Sequence, residues 1–130
     1  MSLQELRELS ANVPQIKDLA ELKPYDNVQE LKMDNGTLLM FGLYKDVGIA
    51  VSRVFATAGT RMPIHQHDRT EYVLVWEGEL IFNFSGKEVT LKENEFYRIE
   101  PNTPHSVYWP VDTNLIAVVI PAEEGWPDGS

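Results

Sequence analysis

GTRMPIHQHDRTEYVLVWEG, residues 59–78, reads as strand, turn and strand between two glycines. Segments with β-branched and aromatic residues stand on either side of the turn suggested by Asp68-Arg69, and they read as strands that fold back on each other. His65 and His67 stand two apart on the first predicted strand, so their side chains share a face. Their Cα atoms are then about 6.6–6.8 Å apart, a separation from which two imidazoles can converge on one ion. Glu71 follows the turn, where an antiparallel return brings it back beside the pair. His105, after Pro104 at the start of a later strand, completes a candidate set of three nitrogens and one carboxylate.

Outward from this stretch the same style of sequence continues. Short β-branched and aromatic segments are punctuated by Asn35-Gly36, Asp46-Val47-Gly48, Glu77-Gly78 and Ser85-Gly86-Lys87. Strands are expected near 28–33, 37–44, 48–56, 62–67, 70–76, 79–84, 87–92, 96–100, 105–109 and 114–120. That spacing predicts an all-β sandwich or barrel joined by hairpins and leaves no room for crossover helices, which excludes parallel α/β folds. Before it, Leu3, Leu6 and Leu9, then Ile16, Leu19 and Leu22, recur at helical steps, interrupted by Asn12 and Pro14. Two short helices are expected over 1–25, a barrel over 26–121 and an irregular tail over 122–130.

The 130 residues make one domain, and a hydrophobic share of 43% is that of a folded core. Twenty acidic against eleven basic residues give a net charge of −9, which repels phosphate backbones and anionic lipid. Nucleic acid and membrane are therefore poor partners, and no secretory signal or spanning segment is visible, so a cytoplasmic location is expected. The absence of cysteine removes disulfides, thiolate zinc sites, iron–sulfur clusters and cysteine nucleophiles together.

Gly59, His65, His67, Glu71 and Gly78 spell G-x5-H-x-H-x3-E-x6-G, which resembles the first motif of the cupin superfamily. The resemblance covers the β-rich part, about 28–120, and implies a small jelly-roll (double-stranded β-helix) barrel of the RmlC-like type holding a divalent transition metal. His65, His67 and Glu71 would take the metal-ligand roles, and His105 that of the histidine in the second motif, G-x5-P-x-G-x2-H-x3-N. That second motif is altered: its glycines fall at Asn94 and Asn102, its proline at Glu100 beside Pro101, and its asparagine at Trp109. Asparagine is the non-glycine residue best suited to positive φ, so both turns can survive.

A mixed imidazole and carboxylate set suits Fe(II) or Mn(II) and also admits Ni, Co, Cu and Zn. The same four residues could instead hydrogen-bond one another in a metal-free barrel. By alternation, Val73, Val75, Val107 and Trp109 face the interior, as do Tyr97 and Ile99. Tyr97 is the candidate catalytic residue, able to donate a proton or bind a substrate oxygen, while Arg53 and Arg98 are placed outside the site. Tyr72, Leu74 and Trp76, with Leu80, Phe82 and Phe84, form an apolar row that, with the habit of small cupins, predicts a homodimer. Two functions follow. One is a metal-dependent enzyme, such as a dioxygenase, isomerase or lyase, acting on a small oxygenated or carboxylated molecule; the other is a non-catalytic ligand-binding or sensing module.

Overall fold

The computed structural model describes residues 28–45 and 47–122; the two helices expected over 1–25 and most of the expected tail lie outside the described residues. Ten strands follow in order: β1 Val28–Met33, β2 Gly36–Lys45, β3 Ala50–Ala56, β4 Arg61–His65, β5 Thr70–Glu77, β6 Leu80–Phe84, β7 Lys87–Leu91, β8 Phe96–Ile99, β9 His105–Tyr108 and β10 Thr113–Ile120. They form a six-stranded sheet, β1-β2-β3-β10-β5-β8, and a four-stranded sheet, β4-β9-β6-β7. All the pairings are antiparallel.

Sequence neighbours pair only at β1-β2, β2-β3 and β6-β7. The expectation of hairpins throughout is corrected here. The remaining connections pass from sheet to sheet, because closing a two-layered barrel places β10 between β3 and β5, and β9 between β4 and β6. Local turn chemistry explains the hairpins that do form. Ser85 and Gly86 both hold positive φ, 48° and 93°, between the paired Phe84 and Lys87, as a two-residue turn with the right twist requires.

The interior is built by alternate residues of facing strands: Leu38 and Met40 of β2, Val54 of β3, Val73 and Val75 of β5 and Leu115 of β10 meet Leu80 and Phe82 of β6 and Val107 of β9. Ile116 and Val118, one step out of phase on β10, join Val51 and Leu74 in a second buried cluster on the opposite face of the larger sheet. This two-sided burial is why 115–119 reads as an unbroken apolar run; Ile120, at its end, is exposed. Leu80 and Phe82, only 1% and 2% exposed, turn inward and cannot belong to an outer row with Leu74, which corrects the dimer-face expectation. The turn at Gly78 carries the chain from one sheet to the other and resets the alternation.

Gly78 has φ +106°, and a Cβ there would lie 2.5 Å from Thr113 Oγ1 and 2.6 Å from the Asp112 carbonyl oxygen. Those neighbours are fixed, since Thr113 Oγ1 accepts from Glu79 N–H and donates to the Glu79 carbonyl. Gly78→Ala is expected to cost about 2–4 kcal/mol in urea denaturation, from backbone strain plus overlap. Gly86→Ala, with φ +93° but open space around it, should cost about 1 kcal/mol. Equal losses would contradict the role assigned to Thr113 and Asp112.

Candidate metal centre

Three histidines gather at one end of the barrel interior. One ligand atom from each of His65, His67 and His105 lies within 4.8 Å of the others, a group that could hold a metal ion. His65 and His105 are direct cross-strand partners, with ring centroids 4.3 Å apart. His67 lies 5.0 Å from His65 and 6.1 Å from His105 between ring centroids. Glu71 lines the same cavity, and its Oε2 is 3.7 Å from His67 Nε2. The histidines thus form the tight group, with the carboxylate beside it on the His67 side.

The convergence depends on an irregularity. Met62 pairs with Val107 and His65 with His105, so three steps on β4 oppose two on β9. This bulge, at Pro63, which has no N–H to give to a ladder, lets Met62 and His65 both line the cavity although their separation is odd. Ile64 is left pointing outward, 75% exposed. β4 ends at His65, so His67 is not on the strand as expected but in the following loop. Its backbone is fixed there by the Asn102 N–H, which donates to the His67 carbonyl at 2.6 Å. Asn102 adopts φ 60° and Asn94 φ 68°, so the two asparagines do hold the turns expected of glycine. The Asn102 turn thereby ties the His67 loop to the segment that leads into His105.

Two of the rings are oriented from behind. His65 Nδ1 lies 2.9 Å from the Pro63 carbonyl oxygen, and His105 Nδ1 2.8 Å from that of Thr103. A carbonyl can only accept, so in the neutral imidazoles Nδ1 carries the proton and Nε2 its lone pair. This is the tautomer a metal ligand needs, held by the backbone contact that commonly supports one. Burial holds the His105 imidazole below the ordinary histidine value of 6.5; the Thr103 carbonyl works against that shift, while His65 and then His67 add to it. The donor set therefore fits a divalent transition ion by its chemistry: two lone pairs of fixed direction, a third imidazole and a nearby carboxylate.

The sign of the His105 shift sets a pH dependence. In the metal-free protein, between the lowered native value and 6.5, the unfolded chain takes up a proton that the native chain does not. This group's contribution makes stability fall as pH drops below about 6.5 and leaves it flat above. Urea midpoints measured between pH 5 and 8 should fall more steeply on the acid side for the native chain than for His105→Gln. Identical slopes would contradict the neutral buried imidazole.

Beyond the histidines lies a cavity of about 240 Å³, walled by apolar side chains that include Val73, Val107 and Trp109. Val75 and Ile99 are buried in the surrounding core, so the inward alternation holds for all of them. Met62, an odd step from His65, is a lining residue that alternation alone does not identify. Tyr97 faces the same core but does not line the cavity: it is stacked on Phe84 at 5.4 Å, and Phe84 in turn is 5.8 Å from His105. Arg98 is exposed and paired with Glu100 at 3.2 Å. Arg53 is fully buried on the other face of β3, where Nη2 donates to Asn114 Oδ1 at 3.1 Å and the guanidinium lies 4.7 Å from the Trp76 ring centroid.

Two antiparallel sheets closing on an apolar cavity, with three imidazoles gathered at one end, define a small jelly-roll barrel with a candidate metal site. The chain belongs to the cupin superfamily: the cupin domain family matches residues 53–121. Among solved structures, the chain is similar to an RmlC-like cupin from Shewanella frigidimarina, with TM-score 0.68, 20% identity, and coverage of 78% of this chain and 91% of that one. It is also similar to the EutQ protein of Clostridium difficile, with TM-score 0.65, 17% identity, and coverage of 72% and 77%. A predicted oxalate decarboxylase from Thermotoga maritima gives TM-score 0.64, 20% identity, and coverage of 74% and 93%. No curated protein matches the chain by sequence. No helix among the described residues is long and apolar enough to cross a membrane.

Proposed function

We propose that this chain is a metal-dependent enzyme that holds one divalent transition ion through His65, His67, His105 and Glu71 and acts on a small oxygenated or carboxylated molecule. The observation that carries the reading is the pair of backbone-oriented imidazoles converging with His67 at one end of an apolar cavity. Nothing in apolar packing calls for three imidazoles in one place, and the metal would supply Lewis acidity toward a bound oxygen. Oxygenase, isomerase and lyase chemistry all lie within that capacity. Glu71 lines the cavity and Tyr97, stacked on Phe84, does not, so Glu71 is the better placed of the two groups to take or give a proton next to a bound substrate. Tyr97→Phe is therefore expected to leave turnover within about twofold, whereas a group that transfers protons would contribute about a hundredfold or more.

A second reading, a non-catalytic module that binds a small ligand, is favoured by one observation. Among the described residues, no lining side chain outside the four candidate ligands can transfer a proton at neutral pH. Turnover and oxygen consumption across a panel of small hydroxy, oxo and carboxylic acids, with metal restored, distinguish the two. Saturable binding without turnover of any member would select the module.

A further inference from the structure

Among the described residues, the cavity wall carries no cation. Apart from His65, His67, His105 and Glu71, the side chains lining it are aliphatic, aromatic or thioether, among them Leu38, Met40, Leu80 and Phe82. Trp109 adds an indole N–H that is buried and has no acceptor. That N–H is neutral and cannot hold a carboxylate as a guanidinium or ammonium would. The arginines of the barrel are engaged elsewhere: Arg53 with Asn114 and Trp76, Arg61 over the Tyr108 ring at 4.1 Å, Arg69 with Asp68 and Arg98 with Glu100. None of them lines the cavity. Glu71 and a net charge of −9 add an unfavourable field for any further anion.

An oxygen ligand of the metal thus meets two environments. Its coordinating end faces the imidazoles, and the rest faces hydrocarbon in about 240 Å³, below the roughly 300–1,000 Å³ of drug-sized pockets. A second carboxylate placed there would lose its hydration and find no cation, with the Trp109 indole N–H as the single neutral donor among the described lining residues, which costs more than burying an alkyl group of the same shape. We propose, resting on the metal reading above, that the site selects small oxygen chelators whose non-coordinating part is uncharged and apolar, and discriminates against dianions of the same size.

The test uses two acids of matched shape. Leucate (2-hydroxy-4-methylpentanoate) and malate have the same number of non-hydrogen atoms and the same hydroxy-carboxylate chelating end. One finishes in an isopropyl group and the other in a carboxylate. Each is titrated calorimetrically into the full chain loaded with Co(II), while the visible spectrum of the cobalt reports on its coordination. Leucate is expected to bind at least about tenfold more tightly than malate, to shift the cobalt bands, and to lose that binding when the metal is removed. Malate binding as well as leucate, neither acid perturbing the bound cobalt, or leucate binding equally to the metal-free chain would each overturn the proposal while leaving the metal reading intact. Failure of Co(II) to bind would overturn both.

Discussion

Replacing His105 with alanine is expected to lower the affinity of the chain for Co(II), Mn(II) or Fe(II) by more than about a hundredfold, the upper end of the cost of losing only a supporting contact to a ligand. His105 is the most buried of the three histidines at 1% exposed, and the Thr103 carbonyl fixes its Nδ1–H. Its Nε2 lone pair is therefore already aimed when an ion arrives, whereas a mobile ligand would first have to be ordered. Alanine also leaves a void beside Phe82 and Phe84, whose ring centroids lie 5.9 and 5.8 Å from the imidazole. Metal affinity and fold stability must therefore be read separately. His105→Gln fills more of the space but offers no imidazole nitrogen, so it should lose the metal while retaining more of the urea midpoint. Metal affinity unchanged in the glutamine variant would remove His105 from the ligand set.

Phe82→Ala should destabilise the barrel by about 3–5 kcal/mol, the range for deleting a buried aromatic ring. Phe82 is 2% exposed on β6 and projects from the smaller sheet into the common core. Its ring lies 5.4 Å from Phe84, 5.9 Å from Tyr97 and 5.9 Å edge-on to His105. The substitution removes hydrocarbon burial and the side support of a candidate ligand at once, so metal affinity should fall along with the urea midpoint. Phe96, half exposed at the start of β8, is the control, and alanine there should change stability by no more than about 0.5 kcal/mol. Equal losses at the two positions would contradict the placement of the core.

Strand existence was legible in the sequence because turn residues and hydrophobic alternation are local signals, and each expected strand overlaps an observed one. The glycine-like roles of Asn94 and Asn102 were legible for the same reason, since positive φ is a property of single residues. Strand partnership was not, because β3-β10 and β9-β6 pair across long stretches of intervening chain and no local pattern records which edge meets which. Alternation also failed at two breaks in the ladder. The bulge between Met62 and His65 shifts the inward face by one residue, and the sheet-to-sheet turn at Gly78 turns Leu80 and Phe82 into the core.

The site divides along the same line. The motif spacing named three histidines, and the structure brings them together, although His67 reaches the group from a loop rather than from a strand. The backbone carbonyls of Pro63 and Thr103 that select the ring tautomers have no signature in residue type, since any residue supplies a carbonyl. Tyr97 shows the limit of parity. Its register opposite Val73 does turn it toward the interior, but its ring packs on Phe82 and Phe84 and does not line the cavity. Only the packing of neighbouring rings, fixed by the meeting of two sheets, decides which inward residue reaches the cavity.

The proposal that His65, His67, His105 and Glu71 hold one divalent ion fixes an expected metal content. It is tested most directly by the metal content of the full chain, purified without a histidine tag, beside His67→Ala prepared in the same way. Elemental analysis is expected to find about one ion per native chain and less than about a tenth of that in the variant, since removing one ligand lowers affinity enough for the metal to be lost during purification. Equal, substoichiometric metal in the two preparations would contradict the account.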